Sequence, residues 1–431
     1  MALAERIDAD TRAVRHLTGL RERYGAGPVR IRLPGRQVTV VLSPDHVHRV
    51  LDGTPRPFSA ATREKRAALA HFQPEGLLIS SPAERAHRRT FNEAVLDTGS
   101  PVHRLAGPVG AVAEEEADAL LAGVHRTGRL DWDAFGAAWW RVVRRVVLGE
   151  GAREDHALTD DLRRLRRRGN FSLLAPTSRR VRERFLGRLA RYVEIGEPGS
   201  LAGLVASTPA HPDTVPHQQM PQWLFAFDAM SWAAYRALAL LAMHPGDLRR
   251  ARAELPLSPD LPYTRAALLE SLRLWPTTPA ILRDTTEETT WESGTLPAGA
   301  SVLVFAPFFH RDATRLDEAH RFAPELWLRE RTADDWPLVP FSAGPGMCPG
   351  RNLVLLTASV LLGRLVEQHD WELVRGGLAR SRPLPGTLDP FRLRFCARRF
   401  APVRSVAADV AAADGHPGRR AAGRPGWPTA G

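Results

Sequence analysis

Cysteine and lysine are almost missing from this chain of 431 residues. Two cysteines, Cys348 and Cys396, exclude a disulfide framework and a cysteine-rich zinc site. Lys65 is the sole lysine, so arginine carries nearly all of the formal net charge of +11. No uninterrupted apolar run approaches the ~20 residues of a membrane span. The first residues, MALAERIDADTRAVRHL, show no basic segment leading into an apolar block, so no secretory leader is expected. Zinc-finger spacing and aromatic-rich single-strand motifs are also lacking. The basic charge alone therefore does not point to nucleic acid. Its densest run, DDLRRLRRRGN at 160–170, reads as the solvated face of a helix. Together these absences lead to the expectation of a cytoplasmic protein with no membrane segment.

The residues that are present suit a large globular enzyme. Hydrophobic residues make up 44% and charged residues 25%, which is enough apolar content for one continuous core. VRIRLPGRQVTVVL alternates around Pro34-Gly35 and predicts a hairpin. Ser43 and Pro44 predict the start of a short helix. From about Pro82 the period is mostly helical, with a long, largely buried helix over 221–245 and another ending at Pro276. Short strands are expected at AILRDT and SVLVFA, and Phe391, Leu393 and Phe395 alternate with Arg392, Arg394 and Cys396. The pattern predicts a mainly α fold with a minor β region, as one domain over 1–403. The Ala/Gly/Pro/Arg-rich stretch at 404–431 is expected to be a disordered tail. Regular strand–helix alternation is lacking, which argues against a doubly wound sheet.

One cysteine stands in an unusual place. FSAGPGMCPG, 341–350, runs straight into the apolar stretch RNLVLLTASVLLGRLVEQH. Pro349 after Cys348 suits the first position of a helix, which would set Cys348 at or beside the N-cap. Unpaired N–H groups and the helix dipole there favour an anion, so a thiol with a lowered pKa is expected. The glycines allow the backbone to curl closely around the sulfur. Such a loop can offer a soft anionic ligand to a metal. A buried structural cysteine, a nucleophile lacking an evident base, and a poorly spaced phosphate loop are the competing readings.

The pattern Phe341-x-x-Gly344-x-x-x-Cys348-x-Gly350 resembles the heme-binding loop of the cytochrome P-450 superfamily. The resemblance covers roughly residues 20 to 400 and implies the cytochrome P-450 fold. It makes Cys348 the metal ligand, as the thiolate proximal to the iron of heme b (iron protoporphyrin IX). Phe341 would pack beside it, and Gly344 and Gly350 would permit close approach. Glu270-x-x-Arg273 is similar to the family's structural lock on the proximal side. The lock's usual third arginine is replaced by Leu326 in FAPELW, with Arg329 as a candidate substitute. Arg283 and Arg88 match positions that bind the heme propionates. Glu84 and Gly346 stand where many bacterial relatives have accessory histidines.

The family's oxygen-side helix usually carries an acid followed by threonine. Here the pair is Asp228-Ala229. Asp228 is expected to be a proton relay with a raised pKa, and Ser231 either bends the helix through the Phe227 carbonyl or holds a water. The resemblance places the substrate pocket at Phe225, Ala226, Ala229, Thr277, Thr278 and Ile281, and by the segment HFQPEGLLIS. It implies a monooxygenase that hydroxylates or epoxidises a hydrophobic small molecule in secondary metabolism, with ferredoxin and ferredoxin reductase as electron donors. Ala229 in place of threonine keeps alternatives open: peroxide-driven oxidation, dehydration, rearrangement, or a non-catalytic heme-binding partner subunit.

Overall fold

The computed structural model describes residues 9–33, 36–171, 176–255, 260–367, 369–379 and 383–399. The turn of the predicted hairpin and the predicted C-terminal tail lie outside these residues. In chain order the helices are α1 (Ala9–Tyr24), α2 (Pro44–Asp52), α3 (Arg63–Leu69), α4 (Pro82–Val95), α5 (Ala106–Thr127), α6 (Trp132–Leu148) and α7 (His156–Gly169). There follow α8 (Arg179–Ile195), α9 (Leu201–Ser207), α10 (Met220–Met243), α11 (Pro245–Glu254), α12 (Pro262–Leu274), α13 (Ala306–His310) and α14 (Arg351–Glu367). Five strands form the larger sheet: β1 (Val29–Leu33), β2 (Arg36–Val40), β3 (Phe58–Ser59), β5 (Ala280–Thr285) and β8 (Ser301–Phe305). Their order is β1-β2-β8-β5-β3. A second sheet orders β4 (Arg129–Asp131), β10 (Arg394–Arg399) and β9 (His369–Arg375), and β6 (Thr289–Trp291) pairs with β7 (Gly294–Leu296).

Local chemistry sets several of these boundaries. Ser43 caps α2 by accepting from the His46 N–H, with Pro44 at the first helical position. Ser81 and Glu84 form a reciprocal capping box at the start of α4. Glu84, at one of the family's histidine positions, thus serves the helix end. The β1–β2 hairpin is antiparallel, with Val29 opposite Val40. β2 then runs parallel to β8, and β8 antiparallel to β5, with Arg283 opposite Val302.

Two apolar clusters fill the molecule. The larger lies among the helices, and the smaller packs α2 against the five-stranded sheet. α10 runs through the larger one and packs against α6, α12 and α14. Contrary to the reading of apolar runs, α10 is long and apolar enough to cross a membrane, yet 72% of its most apolar window is buried inside the fold. Asp228 and Arg236 interrupt the run without removing its mean hydropathy. Arg236 is itself buried and donates to the Leu388 and Trp275 carbonyls, which satisfies the guanidinium inside the core.

His310, at the end of α13, is wholly buried, and its Nε2 accepts from the Val339 N–H at 2.9 Å. Burial, aided by Arg273, depresses its pKa to about 3. The unfolded chain takes up this proton near pH ~6.5 and the folded chain does not. Its stabilising effect is therefore complete above about pH 6.5 and is lost as pH falls toward 3, at about 1.4 kcal/mol per pH unit. Urea midpoints measured from pH 7 to pH 4 are expected to fall less steeply for His310→Gln, whose amide oxygen can keep the Val339 bond. Parallel curves for the two proteins would refute this account.

Candidate functional site

The Cys348 loop rests on α2. Gly344 has φ of +58°, and a Cβ there would lie 2.6 Å from the Leu51 carbonyl oxygen, so both conformation and space require glycine. Gly346 serves a different neighbour, because a Cβ at that position would stand 2.9 Å from an Arg283 nitrogen. The Cys348 N–H donates to the Phe341 carbonyl at 2.9 Å, which closes the loop. Phe341 is half-buried against the larger core. Arg89 of α4 donates to the Met347 carbonyl at 2.7 Å, and Thr98 to the Pro349 carbonyl at 2.9 Å. Four separate segments therefore hold the loop in place.

The free thiol departs from expectation. Burial pushes the Cys348 pKa above its ordinary value, against the Gly350 N–H bonded to it and the nearby Arg89 and Arg351. The reason is position. α14 begins at Arg351, so Cys348 lies outside the first turn, where the dipole acts most strongly, and desolvation dominates.

Behind the loop stands the expected lock, closed differently from the family pattern. Glu270 and Arg273 are fully buried and paired through two bonds of 2.8 and 2.6 Å. Arg273 also donates to the carbonyls of His310, Ala319, Glu318 and Arg321, and so ties α12 to the following meander. The third partner of Glu270 is not Arg329, which binds Asp335. It is the indole N–H of Trp327, at 3.0 Å, with the Ala323 N–H at 2.9 Å. Arg265 on the same helix reaches Asn352 at 2.7 Å, which links the lock to α14 and so to Cys348. The sequence clue was present in FAPELW, one residue beyond the missing arginine.

Arg283 on β5 is buried beside the loop. It donates to Thr54 Oγ1 at 3.1 Å and to Ser342 Oγ at 3.3 Å. Burial, then Arg85, lowers its pKa to about 10. Among the described residues Arg283 makes no ion pair. Arg88 is placed otherwise. It is buried but engaged by Glu75, by Ser80 Oγ at 2.9 Å and by Glu84 at 3.6 Å. Arg85, not singled out from the sequence, reaches the Pro345 carbonyl of the loop at 3.2 Å.

On α10, Asp228 accepts from Arg166 of α7 at 2.5 Å, and Arg166 lies 4.6 Å over the Phe225 ring. One arginine of the supposedly solvated run thus turns inward. Ser231 donates to the Asp228 carbonyl rather than that of Phe227, because its hydroxyl reaches back three residues instead of four. Phe225, Ala226 and Ala229 occupy one flank of α10 and are half-buried, and Phe72 meets Phe225 with ring centres 6.3 Å apart. Phe72 belongs to the expected wall segment. Thr277 is half-buried and Thr278 exposed, whereas Ile281 packs into the sheet-side core. Among the described residues no group of three or more His, Cys, Asp or Glu side chains could hold a metal ion.

A family model described as Cytochrome P450 matches residues 224–385. The structure resembles retinoic acid bound cyanobacterial CYP120A1 at a TM-score of 0.73 and 19% identity, covering 89% of this chain and 94% of that one. Among curated proteins, the cyclooctat-9-en-7-ol 5-monooxygenase of Streptomyces melanosporofaciens is 34% identical over 34% of this chain and 33% of its own length. The geraniol 8-hydroxylase of Catharanthus roseus is 37% identical over 28% of this chain and 25% of its own length. The chain thus spans a third or less of the length of these two relatives. The family match over residues 224–385 and the structural likeness over most of the chain both place it in the cytochrome P450 fold.

Proposed function

We propose that this protein is a monooxygenase that places one oxygen atom into a C–H or C=C bond of a hydrophobic, terpenoid-like molecule. The observation that carries the reading is Cys348, held by backbone bonds on a loop beside the buried, ion-pair-free Arg283. These residues fit heme b: a sulfur for the iron and a desolvated guanidinium for a carboxylate. The named substrates of the two relatives, cyclooctat-9-en-7-ol and geraniol, support an apolar substrate. The half-buried Phe225, Ala226 and Ala229 offer a surface of that kind. We assign Thr277 and Thr278 roles as polar handles and Ile281 a place in the pocket wall, with Thr278 exposed and Ile281 anchored in the sheet-side core. Electrons would come from a ferredoxin and its reductase, and the protein would work in the cytoplasm, as one domain over 1–403, in secondary metabolism.

Heme, when bound, supplies oxygen activation. The chain's own part is to control protons and water. Asp228 is the titratable group of α10 in this region, and Arg166 holds it in one orientation. Ala229 offers no hydroxyl, and the Ser231 proton is committed to the Asp228 carbonyl. Asp228 therefore has to relay protons with help from water or from a hydroxyl on the substrate. Asp228→Asn is expected to lower turnover by about 100-fold while leaving the substrate-induced spectral change intact. Unchanged turnover would remove Asp228 from the mechanism.

The Ala229 and Asp228–Arg166 arrangement also favours a second reading, in which peroxide drives the oxidation or the enzyme performs dehydration or rearrangement. Turnover with ferredoxin, reductase and NAD(P)H distinguishes the first reading, and turnover with hydrogen peroxide alone the second. A protein that binds heme but turns over with neither would be a non-catalytic partner subunit.

A further inference from the structure

Two histidines meet at the end of α14 that lies opposite the Cys348 loop. α14 starts at Arg351 and ends at Glu367, and His369 opens β9. A helix of that length sets His369 about 25 Å from the loop. His125 stands on the last turn of α5, which packs along α14. The two Nε2 atoms are 2.8 Å apart, although 244 residues separate the side chains in the sequence. Both rings line a pocket of about 290 Å³, whose other walls are Val124, Gly128 and Ala397.

This contact fixes where the protons are. A neutral imidazole has a proton on one ring nitrogen and a lone pair on the other. One Nε2 therefore donates and the other accepts, and both rings aim in their own planes at one point between them. If the shared proton leaves, two lone pairs converge on that point, as a divalent ion requires of two imidazole ligands. Bonds of ~2.0–2.1 Å at a tetrahedral angle need nitrogens ~3.4 Å apart, so the pair has to open by about 0.6 Å. His125 is exposed and free to shift that far. His369 is buried, its carbonyl accepts from Arg252, and the Trp371 ring lies 5.8 Å from its own. One ligand is thus anchored and the other adjustable. The pocket has room for waters of ~30 Å³ each to complete the coordination. His87 and His211 form another close pair, but their rings are stacked with centres 4.6 Å apart, so their lone pairs do not converge. We propose that His125 and His369 bind one divalent transition-metal ion of the zinc, nickel or copper class. The ion would clamp the C-terminal strands to α5. This site is independent of the reading of Cys348.

The test is calorimetric titration of chelator-washed holoprotein with zinc chloride. The wild type is expected to bind one zinc ion at this pair. His125→Gln and His369→Gln should each weaken that binding at least about 10-fold. His87→Gln should not change it. Neither should Cys396→Ser, because Cys396 adjoins Ala397 but faces the other side of β10. Magnesium, which prefers oxygen ligands, should not bind. With zinc at about 100 times its Kd, Tm should rise by about 3 °C in the wild type and not in His125→Gln. His125→Gln changes an exposed side chain, so it decides the matter even if His369→Gln fails to fold. No zinc binding by the wild type, or equal binding by the wild type and His125→Gln, would overturn the proposal.

Discussion

Cys348→Ala is expected to yield a folded protein that has lost the reduced carbon-monoxide band of a thiolate-ligated heme. The loop does not depend on the sulfur for its shape. Its backbone bond to Phe341, the Arg89 and Thr98 bonds and the glycine contact with α2 all survive the substitution. The side chain removed is small, so the stability change should stay within about 1 kcal/mol. The functional change should be complete, since among the described residues no His, Cys, Asp or Glu cluster could bind a metal in its place. The raised pKa of the free thiol sharpens the expectation. Without a metal the sulfur is a half-buried neutral thiol, and coordination would ionise it. Absorbance after heme reconstitution, oxidised and then reduced under carbon monoxide, decides the matter. An unchanged spectrum in the alanine variant would refute the thiolate assignment.

Glu270→Ala is expected to have the largest effect on stability, about 3–5 kcal/mol. That is a large part of the 5–15 kcal/mol typical of a native domain. Glu270 accepts two bonds from Arg273 and one each from Trp327 and Ala323, and both members of the ion pair are fully buried. Removing the carboxylate leaves a buried guanidinium with only backbone carbonyls for company, and leaves two further N–H groups without an acceptor. Trp327→Phe should cost far less, about 1 kcal/mol for the lost bond beyond any change in packing. Because both substitutions act at one carboxylate, their costs should not add in the double variant. Urea unfolding of the two single variants and the double variant measures this directly. Additive costs would show that Trp327 is a bystander rather than the third member of the lock.

The places where expectation and structure part share a cause. Arg329 was a reasonable substitute for the missing arginine by sequence distance, but Asp335 lies closer to it in space. The basic run at 160–170 is solvated at Arg163, Arg164, Arg167 and Arg168, as its composition suggests, and only Arg166 turns to pair with Asp228.

Short-range chemistry was enough for much of the protein. Ser43-Pro44 and Ser81-x-x-Glu84 set helix starts, alternation set the first hairpin, and the apolar stretch at 221–245 set a buried central helix. The glycine-framed Cys348 and the spacing of Glu270 and Arg273 are likewise legible as text, because backbone conformation and one helical turn depend on near neighbours. Charge pairing does not. Which acid meets which arginine and whether a thiol is ionised depend on segments far apart in the chain. Coulomb and desolvation energies follow distance in space and not distance in sequence, so only the tertiary structure could decide them.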